Sequence, residues 1–207
     1  RFKREITTNE KVTVIIPFKD QVHFLRDCVE SAIAKTRYKN FEILLVSNNS
    51  IEDKTFNYLS SVVKIDPRIN VLEYNHLFNY SAINNWAVQQ SDGAYILLLN
   101  NDTKVISEGW LEAMLEHIQQ ECVGVVGAKL LYDDNTIQHA GVIIGPGGIA
   151  GHSHRFCSDV SLGYFGRSSV VQELSAVTGA CLLTKRCLWD SVGGLDEKHF
   201  KIAFNDI

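Results

Sequence analysis

The feature that most constrains this fold is a set of four short apolar runs, each separated from the next by a segment with helical spacing. The runs are rich in β-branched residues and leucine and too short for typical helices, so each predicts a buried strand. The segments between them carry apolar residues at the spacing of amphipathic helices. This alternation predicts an α/β fold with a mostly parallel central sheet and helices on both faces. The runs are Val12–Pro17, Phe41–Val46, Ile69–Tyr74 and Tyr95–Leu99.

The part of the chain after Cys122 has a less regular pattern. Residues 152–172 are polar and aromatic without a period, which predicts a long loop over a site. A short helix is expected at Arg186–Val192, ended by two glycines. Because no segment has the composition of a linker, we expect a single domain over residues 1–207, truncated on its C-terminal side. The strands predicted in this part are Val123–Leu131, Gln138–Ile144 and Leu174–Leu183.

Composition and charge exclude several classes of protein. The chain has 20 basic and 24 acidic residues and no strong basic patch, so no nucleic-acid partner is expected. Its longest apolar runs are far below the roughly 20 residues that span a bilayer. The five cysteines are scattered and form no CxxC pair. This pattern argues against a disulfide framework or a zinc site and favours a reducing, cytoplasmic location.

Polar side chains follow the predicted strands at the positions where ligands bind in open parallel sheets, beyond the carboxyl ends of the strands. Any single exit is explained by turn chemistry, since Asn and Asp cap helices and begin turns. Their convergence on one sheet edge predicts a polar ligand site. The exits are Pro17–Asp20, Ser47–Ser50, Asn75-His76 and Asn100–Thr103.

Asp102 is the most informative of these residues. A carboxylate at a sheet edge suits a hard cation such as Mg²⁺ or Mn²⁺, which needs only one or two carboxylates when substrate phosphates supply further oxygens. The alternative is that Asp102 only begins the following turn. The chain contains no GxGxxG, GxxxxGK[ST] or GxSxG motif. Their absence argues against dinucleotide oxidoreductases, P-loop NTPases and serine hydrolases.

Five segments, taken in order, resemble one enzyme family. VTVIIPFKD, FEILLVSNNS, AYILLLNNDT, VTGACLL and GGLDE…FNDI are similar to the inverting nucleotide-sugar glycosyltransferases of family two. The likeness runs from about Val12 to the last residue and is closest to the bacterial branch that builds O-antigens and other surface polysaccharides, including rhamnosyltransferases. It implies a GT-A fold and a Mg²⁺ or Mn²⁺ cofactor.

The resemblance also implies the substrates and the location. The donor would be a UDP-, dTDP- or GDP-linked sugar and the acceptor a glycan or lipid-linked glycan. The location would be the cytoplasm, extending to peripheral association with the inner face of the membrane.

The resemblance also implies roles for individual residues. Asp206 would be the catalytic base and Asp102 the metal ligand, while Gly179 and Ala180 would lie beside the donor sugar and the acceptor. The stretch from Gly145 to Arg167 would shield the donor from water. The nucleotide-binding residues would be Pro17, Phe18, Asp20, Asn48, Asn49, Asn79, Asn85, Asn100 and Asn101.

Two departures from the family pattern have consequences for the site. Asn48 stands where many relatives have Asp, and Asn100 and Asn101 precede a single carboxylate. An amide hydrogen-bonds but adds no charge, so metal affinity without nucleotide should be weak.

Two other readings stay open. A nucleotidyltransferase usually has a Gly-rich, basic loop after the first strand, and Pro17–Asp20 is poor in glycine and in basic residues. A non-catalytic nucleotide-sugar-binding module is disfavoured by the presence of both Asp102 and Asp206.

Overall fold

The first half of the molecule alternates strands and helices, as the sequence predicts. The computed structural model describes residues 3–145 and 150–202. The elements of this half are β1 (Val12–Phe18), α1 (Val22–Lys35), β2 (Phe41–Ser47), α2 (Asp53–Ile65), β3 (Ile69–Glu73), α3 (Tyr80–Gln89), β4 (Tyr95–Leu99) and α4 (Trp110–Ile118).

These four strands form the parallel part of a central sheet. β1 pairs in parallel with β2 on one side and with β4 on the other, and β2 pairs in parallel with β3. In this register Phe18 lies opposite Ser47, so β1 and β2 end together. The carboxyl ends of all four strands therefore lie along one edge, and the predicted α/β fold with a mainly parallel sheet is confirmed.

The second half adds two strands to the central sheet and builds two small hairpins. The complete six-stranded order is β3-β2-β1-β4-β10-β5, with β10 antiparallel to both of its neighbours. The hairpins β6–β7 and β8–β9 are separate antiparallel sheets. The elements of this half are β5 (Val125–Gly127), β6 (Leu130–Leu131), β7 (Ile137–His139), β8 (Val142–Ile144), β9 (Ala150–His152), β10 (Cys181–Lys185) and α5 (Arg186–Val192).

The strand predicted over Leu174–Leu183 is wrong in its first part, because β10 begins only at Cys181. The apolar residues before it anchor a loop instead of a ladder. Val177 packs so tightly on β5 that a Cβ at Gly127 would lie 2.6 Å from its own Cβ. The strand predicted over Gln138–Ile144 is also divided, since Gly141 has a φ of +101°, a backbone conformation that interrupts extended structure.

The sheet is buried on both faces, which explains why its strands are continuous apolar runs. Val14 and Ile16 belong to the core under α1, α2 and α4, whereas Ile15 between them belongs to the core under α3 and α5. All three side chains are at most 1% exposed. Each such burial stabilises the fold by about 1.5–3 kcal/mol. The predicted placement of helices on both faces is thus confirmed.

No helix within the described ranges is both long and apolar enough to cross a membrane. The region 153–172 contains neither strand nor α-helix and has only a short 3-10 turn at Tyr164–Gly166, as predicted for a long loop.

Candidate functional site

The carboxyl edge of the sheet brings the polar exits together. The backbone N–H of Asn48, after β2, donates to the carbonyl oxygen of Phe18 at the end of β1, at 2.8 Å. The N–H of Asn100, after β4, donates to the carbonyl oxygen of Ala180 at 3.0 Å. Because β10 is antiparallel, the residues that precede it reach the same edge. Three strand exits and the segment Thr178–Ala180 thus form one site.

Asp102 lies on the turn that follows β4. The turn is closed by Asn100, whose carbonyl oxygen accepts hydrogen bonds from the N–H of Thr103 at 3.2 Å and from its hydroxyl at 2.6 Å. Asp102 is exposed, and within the described part of the chain its carboxylate has neither an ion pair nor a hydrogen bond. The neighbouring Lys104 is paired instead with Asp27, at 3.3 Å.

The donor set at this turn fits a hard cation. Asp102 offers carboxylate oxygens and Asn101 an amide oxygen, and oxygen ligands are those that Mg²⁺ and Mn²⁺ prefer. No group of three or more His, Cys, Asp or Glu side chains that could hold a metal occurs within residues 3–145 and 150–202. The described residues therefore offer one carboxylate rather than a complete cage, and a diphosphate would have to supply further oxygens.

A buried thiol supports this turn from below. The Cys28 Sγ on α1 donates to the carbonyl oxygen of Asn100 at 3.5 Å. Burial raises the pKa of the Cys28 thiol to about 12, and the nearby Asp102 charge adds to the rise. The thiol is therefore protonated at neutral pH, so it is a hydrogen-bond donor and not a nucleophile.

Asn48 is buried and is held by the exit of β3. Its Nδ2 donates to the carbonyl oxygens of Tyr74 and His76, each at 2.9 Å. Asn49 donates to the same His76 oxygen at 2.7 Å. Since both amide hydrogens of Asn48 are committed, its Oδ1 is the atom left to meet a ligand, and that atom can only accept a hydrogen bond.

The first strand exit contributes support more than contact surface. The Asp20 carboxylate accepts hydrogen bonds from the backbone N–H groups of Ile51 and Glu52, each at 3.0 Å, and so ties the end of β1 to the start of α2. Phe18 packs into the core with 4% of its surface exposed. Pro17 lies in β1 opposite Val46.

Two asparagines of α3 hold the segment that precedes Asp206 in the sequence. Asn79 caps the helix by accepting from the N–H of Ala82 at 3.1 Å, and its amide donates to the carbonyl oxygen of Glu197 at 3.0 Å. Asn85 is buried and exchanges hydrogen bonds with the backbone of Leu195, at 2.8 and 2.9 Å. Asp206 itself lies outside the described residues.

Residues 195–201 are anchored further at the beginning of α3. The Ser81 hydroxyl donates to the carbonyl oxygen of Phe200 at 2.6 Å. The backbone N–H of Tyr80 donates to the carbonyl oxygen of Lys201 at 2.7 Å. Asp196 accepts from the backbone N–H of His199 and from its ring, which lowers the pKa of Asp196 to about 2. Residues 195–201, which precede Asp206 in the sequence, are thus fixed at the carboxyl edge of the sheet.

Gly179 and Ala180 contact both α3 and the Asn100–Thr103 turn that carries Asp102. The Tyr80 hydroxyl donates to the carbonyl oxygen of Gly179 at 2.9 Å. A Cβ at Gly179 would lie 2.9 Å from that hydroxyl oxygen, so a side chain here would displace Tyr80.

Four residues of the shielding stretch predicted over Gly145–Arg167, residues 146–149, lie outside the described part of the chain.

Sequence reasoning missed several residues at this edge. Cys28 and Tyr80 have no motif of their own, and their contacts depend on the packing of α1 and α3. His152 likewise belongs to no sequence motif. In the structure its Nδ1 lies 2.9 Å from the Nδ1 of His139. The sequence predicts His139 in a strand and His152 at the start of the 152–172 loop, so no local signal pairs them.

A cavity of about 320 Å³ lies beside the exit of β3. Burial and the charge of Glu197 raise the pKa of Tyr74 in its wall. Two of its lining residues, Tyr74 and His76, supply the carbonyl groups that hold Asn48. Its lining residues are Tyr74, His76, Ala82, Trp86, Gln89 and Glu197.

Solved structures with the same fold include two glycosyltransferases. A mannosyltransferase from Pyrobaculum calidifontis, in complex with GDP-Man and Mn²⁺, superposes with a TM-score of 0.69 over 94% of this chain and 50% of its own, at 15% identity. GalNAc-T7 with UDP, GalNAc and Mn²⁺ gives a TM-score of 0.71 over 95% of this chain and 39% of its own, at 14% identity. At these identities the likeness establishes the fold, which is GT-A.

Sequence comparison identifies the family. The chain is 47% identical over 196 residues to the protein y4gI of Sinorhizobium fredii, covering 95% of this chain and 22% of that protein. It is 41% identical over 208 residues to the O-antigen biosynthesis protein RfbC of Myxococcus xanthus, covering 100% of this chain and 16% of RfbC. The chain thus spans less than a quarter of either relative. The sequence model named Glycosyl transferase family 2 matches residues 13–148, and the chain belongs to that family.

Proposed function

We propose that this domain transfers a glycosyl group from a nucleoside-diphosphate sugar to an acceptor hydroxyl, with inversion at the anomeric carbon. The observation that carries this proposal is the exposed carboxylate of Asp102, beside the Thr178–Ala180 segment on the carboxyl edge of the sheet. Membership of glycosyl transferase family 2 supports the reaction class. The two structural neighbours hold Mn²⁺ with nucleotide ligands, which supports a divalent cation here.

The reaction needs a base for the acceptor proton and neutralisation of the charge that develops on the leaving diphosphate. Asp102, with the amide of Asn101, would hold Mg²⁺ or Mn²⁺. When bound, the cation would supply Lewis-acid stabilisation of the diphosphate. Gly179 and Ala180 would lie beside the donor sugar and the acceptor. Asp206 would take the proton of the attacking hydroxyl as that oxygen bonds to the anomeric carbon and the nucleoside diphosphate leaves from the opposite face.

Asn48 suits a particular set of bases. Its amide hydrogens bind the carbonyl groups of Tyr74 and His76, which leaves Oδ1, an acceptor, to meet the base. Uracil, thymine and guanine present a ring N–H on the pairing edge, whereas cytosine and adenine present a bare ring nitrogen there. We therefore propose UDP-, dTDP- or GDP-linked donors, whose ring N–H the Asn48 Oδ1 can accept.

The acceptor is proposed to be a glycan or a lipid-linked glycan in surface polysaccharide synthesis, in line with the O-antigen relative. The loop over residues 156–171 supports an amphiphilic acceptor at the cytoplasmic face of a membrane. It exposes seven large apolar side chains near two arginines, a composition typical of membrane interfaces. These side chains, Phe156, Val160, Leu162, Tyr164, Phe165, Val170 and Val171, are 59–87% exposed.

Vesicle sedimentation tests this membrane assignment. The parent protein should sediment with phosphatidylglycerol vesicles, and Phe165→Ser should weaken that association because Phe165 is 87% exposed. Equal sedimentation of the two proteins, or none by the parent, would remove the assignment.

Asp206→Asn tests the reaction itself in the full-length protein. Asn caps a helix about as well as Asp, so the substitution would preserve a capping role of Asp206. Asn cannot take a proton at neutral pH, so the substitution would remove a base. We expect the variant to keep its melting temperature and its donor affinity while losing transfer by about 10²-fold or more. Transfer at the parent rate would mean that another group is the base. Failure of every UDP-, dTDP- and GDP-sugar to be turned over by the parent would refute the proposed function.

A further inference from the structure

Two histidines connect the small hairpins to the candidate active site. His139 lies on β7 and His152 on β9, so the pair bridges two separate sheets. Their Nδ1 atoms are 2.9 Å apart, and the rings meet edge to face with centroids 5.1 Å apart. His139 is 1% exposed, whereas His152 is exposed. One buried ring is thus in contact with one ring that reaches the surface.

The buried member of the pair, His139, contacts the Thr178–Ala180 segment, which borders the Asn100–Thr103 turn. The backbone N–H of Thr178 donates to the Nε2 of His139 at 3.4 Å. Two residues later, the carbonyl oxygen of Ala180 accepts from the N–H of Asn100. A continuous series of hydrogen bonds and backbone therefore runs from His152, through His139 and Thr178, to the turn that carries Asp102.

The other contacts of this segment come from elements of the main sheet and its helices. Val177 packs against Gly127 of β5, and Gly179 is held by the Tyr80 hydroxyl on α3. The hairpins contact this stretch at two points: the Nε2 of His139 accepts from the N–H of Thr178, and the N–H of Val142 on β8 donates to the carbonyl oxygen of Ala176 at 3.0 Å. The His139 contact restrains the segment at Thr178, between Val177 and Gly179.

The hydrogen bonds fix the tautomers of both rings. A backbone N–H can only donate, so the Nε2 of His139 carries no hydrogen and its proton lies on Nδ1. That Nδ1–H then donates to the Nδ1 of His152, which must be bare, and the proton of His152 lies on Nε2. The hydrogen bonds therefore run in one direction: the N–H of Thr178 donates to His139, and His139 donates to His152.

We propose that His139 and His152 are positioning residues that hold the Thr178–Ala180 segment beside the Asn100–Thr103 turn, in the geometry that glycosyl transfer requires. This inference rests on the proposed function for its catalytic consequence. Its structural content, the tautomers and the restraint on Thr178, does not depend on that function. A displacement of about 1 Å in such a segment is enough to cost about 10²-fold in rate.

Nitrogen-15 NMR of the ligand-free protein tests the tautomers directly. We expect His139 to be protonated on Nδ1 and His152 on Nε2 at pH 8. Finding His139 protonated on Nε2 would overturn the proposal, because that ring could not then accept from Thr178.

Matched substitutions test the catalytic consequence. Glutamine reaches the Nε2 position of histidine with an oxygen that accepts a hydrogen bond, whereas asparagine reaches only the Nδ1 position. We expect His139→Asn to lower kcat for nucleoside-diphosphate release by about 10-fold or more, with the KM for the donor within about twofold. His139→Gln should retain most of the parent kcat. His23→Asn, at an exposed position on α1, is the control.

Hydrogen exchange at the Thr178 amide separates failure of this inference from failure of the proposed function. The amide should be protected in the parent and in His139→Gln and should exchange faster in His139→Asn. This result decides the restraint even if the parent turns over no donor.

Where a His139 variant does not fold, the exposed partner gives the same comparison. His152→Asn keeps an acceptor at the Nδ1 position and should retain Thr178 protection, whereas His152→Gln should lose it. Equal kcat and equal protection in the asparagine and glutamine variants of either residue would overturn the proposal.

Discussion

At the scale of single residues, the site separates side chains that are committed to the protein from those that are available to a ligand. Asn48 and Asn85 use their amide hydrogens on neighbouring carbonyl and carboxylate oxygens and so fix the loops around the site. Asp102 has no such partner among the described residues. An exposed carboxylate without partners is inexpensive to keep in water and is free to bind a cation that arrives with a nucleotide.

Asp102→Ala should remove the metal-dependent part of nucleotide affinity and leave the fold intact, since this exposed side chain supports no packing. Titration calorimetry of UDP with and without Mn²⁺ measures this. Asp27→Ala, which removes an exposed carboxylate paired with Lys104, is the matched control and should bind as the parent does. Tight Mn²⁺ binding by the parent without nucleotide would contradict the single-carboxylate site.

Asn48→Leu should lower both stability and nucleotide affinity. The substitution leaves the carbonyl oxygens of Tyr74 and His76 without their donor, at a cost of about 1–3 kcal/mol for a buried group. Urea denaturation gives the free energy of unfolding, and calorimetry gives the affinity for UDP. Asn75→Leu, at an exposed residue of the same exit, is the control. Parent-like nucleotide affinity in Asn48→Leu would remove Asn48 from the base site.

At the scale of elements, α2 and the edge strand β3 are joined by one ion pair. Asp66 closes α2, and its carboxylate takes hydrogen bonds from the Nε and Nη2 of Arg68, at 3.0 and 2.6 Å. The guanidinium also lies over the Phe41 ring, 4.3 Å from its centroid. This two-point contact fixes how β3 enters the sheet, and with it the exit that holds Asn48.

The Asp66–Arg68 pair should make stability depend on pH. Hydrogen bonding to Arg68 lowers the pKa of Asp66 below its usual value. The stabilisation is therefore present above the unfolded pKa of about 3.9 and is lost as the pH falls through the lower folded value. Asp66→Asn should cost about 1 kcal/mol at pH 7, since the pair is partly exposed, and progressively less as the pH falls below the unfolded pKa and through the lower folded one. Urea denaturation over this pH range checks this.

At the scale of the whole molecule, the two-faced core divides the cysteines into two classes. Cys28 and Cys181 are buried, whereas Cys122, Cys157 and Cys187 are exposed. Burial raises the pKa of both buried thiols to about 12. Only thiolate is a good nucleophile, so the two buried thiols are protected by access and by protonation together.

Native protein treated with iodoacetamide at pH 8 should therefore take up three carbamidomethyl groups, and protein denatured in urea should take up five. Mass spectrometry of the intact chain counts them. Modification of Cys28 at the rate of Cys157 would contradict the buried position of Cys28 beside the Asn100–Thr103 turn.

The sequence by itself determined the four parallel strands, the order of their exits and the family resemblance. Tyr95–Leu99 and Arg186–Val192 were predicted with the bounds that the structure has. This worked because apolar periodicity and turn residues are local signals, and because parallel topology forces successive strand exits to one edge. The metal role of Asp102 and the base role of Asp206 remain predictions.

Only the tertiary structure decided how the polar side chains of the site are used. Asn85 binds Leu195, 110 residues away in the sequence, and His139 meets His152 across two separate sheets. A composition of asparagines and histidines is compatible with many such partners. Which of them keeps an unpaired atom for a ligand depends on contacts between elements distant in the chain, and no local pattern encodes those contacts.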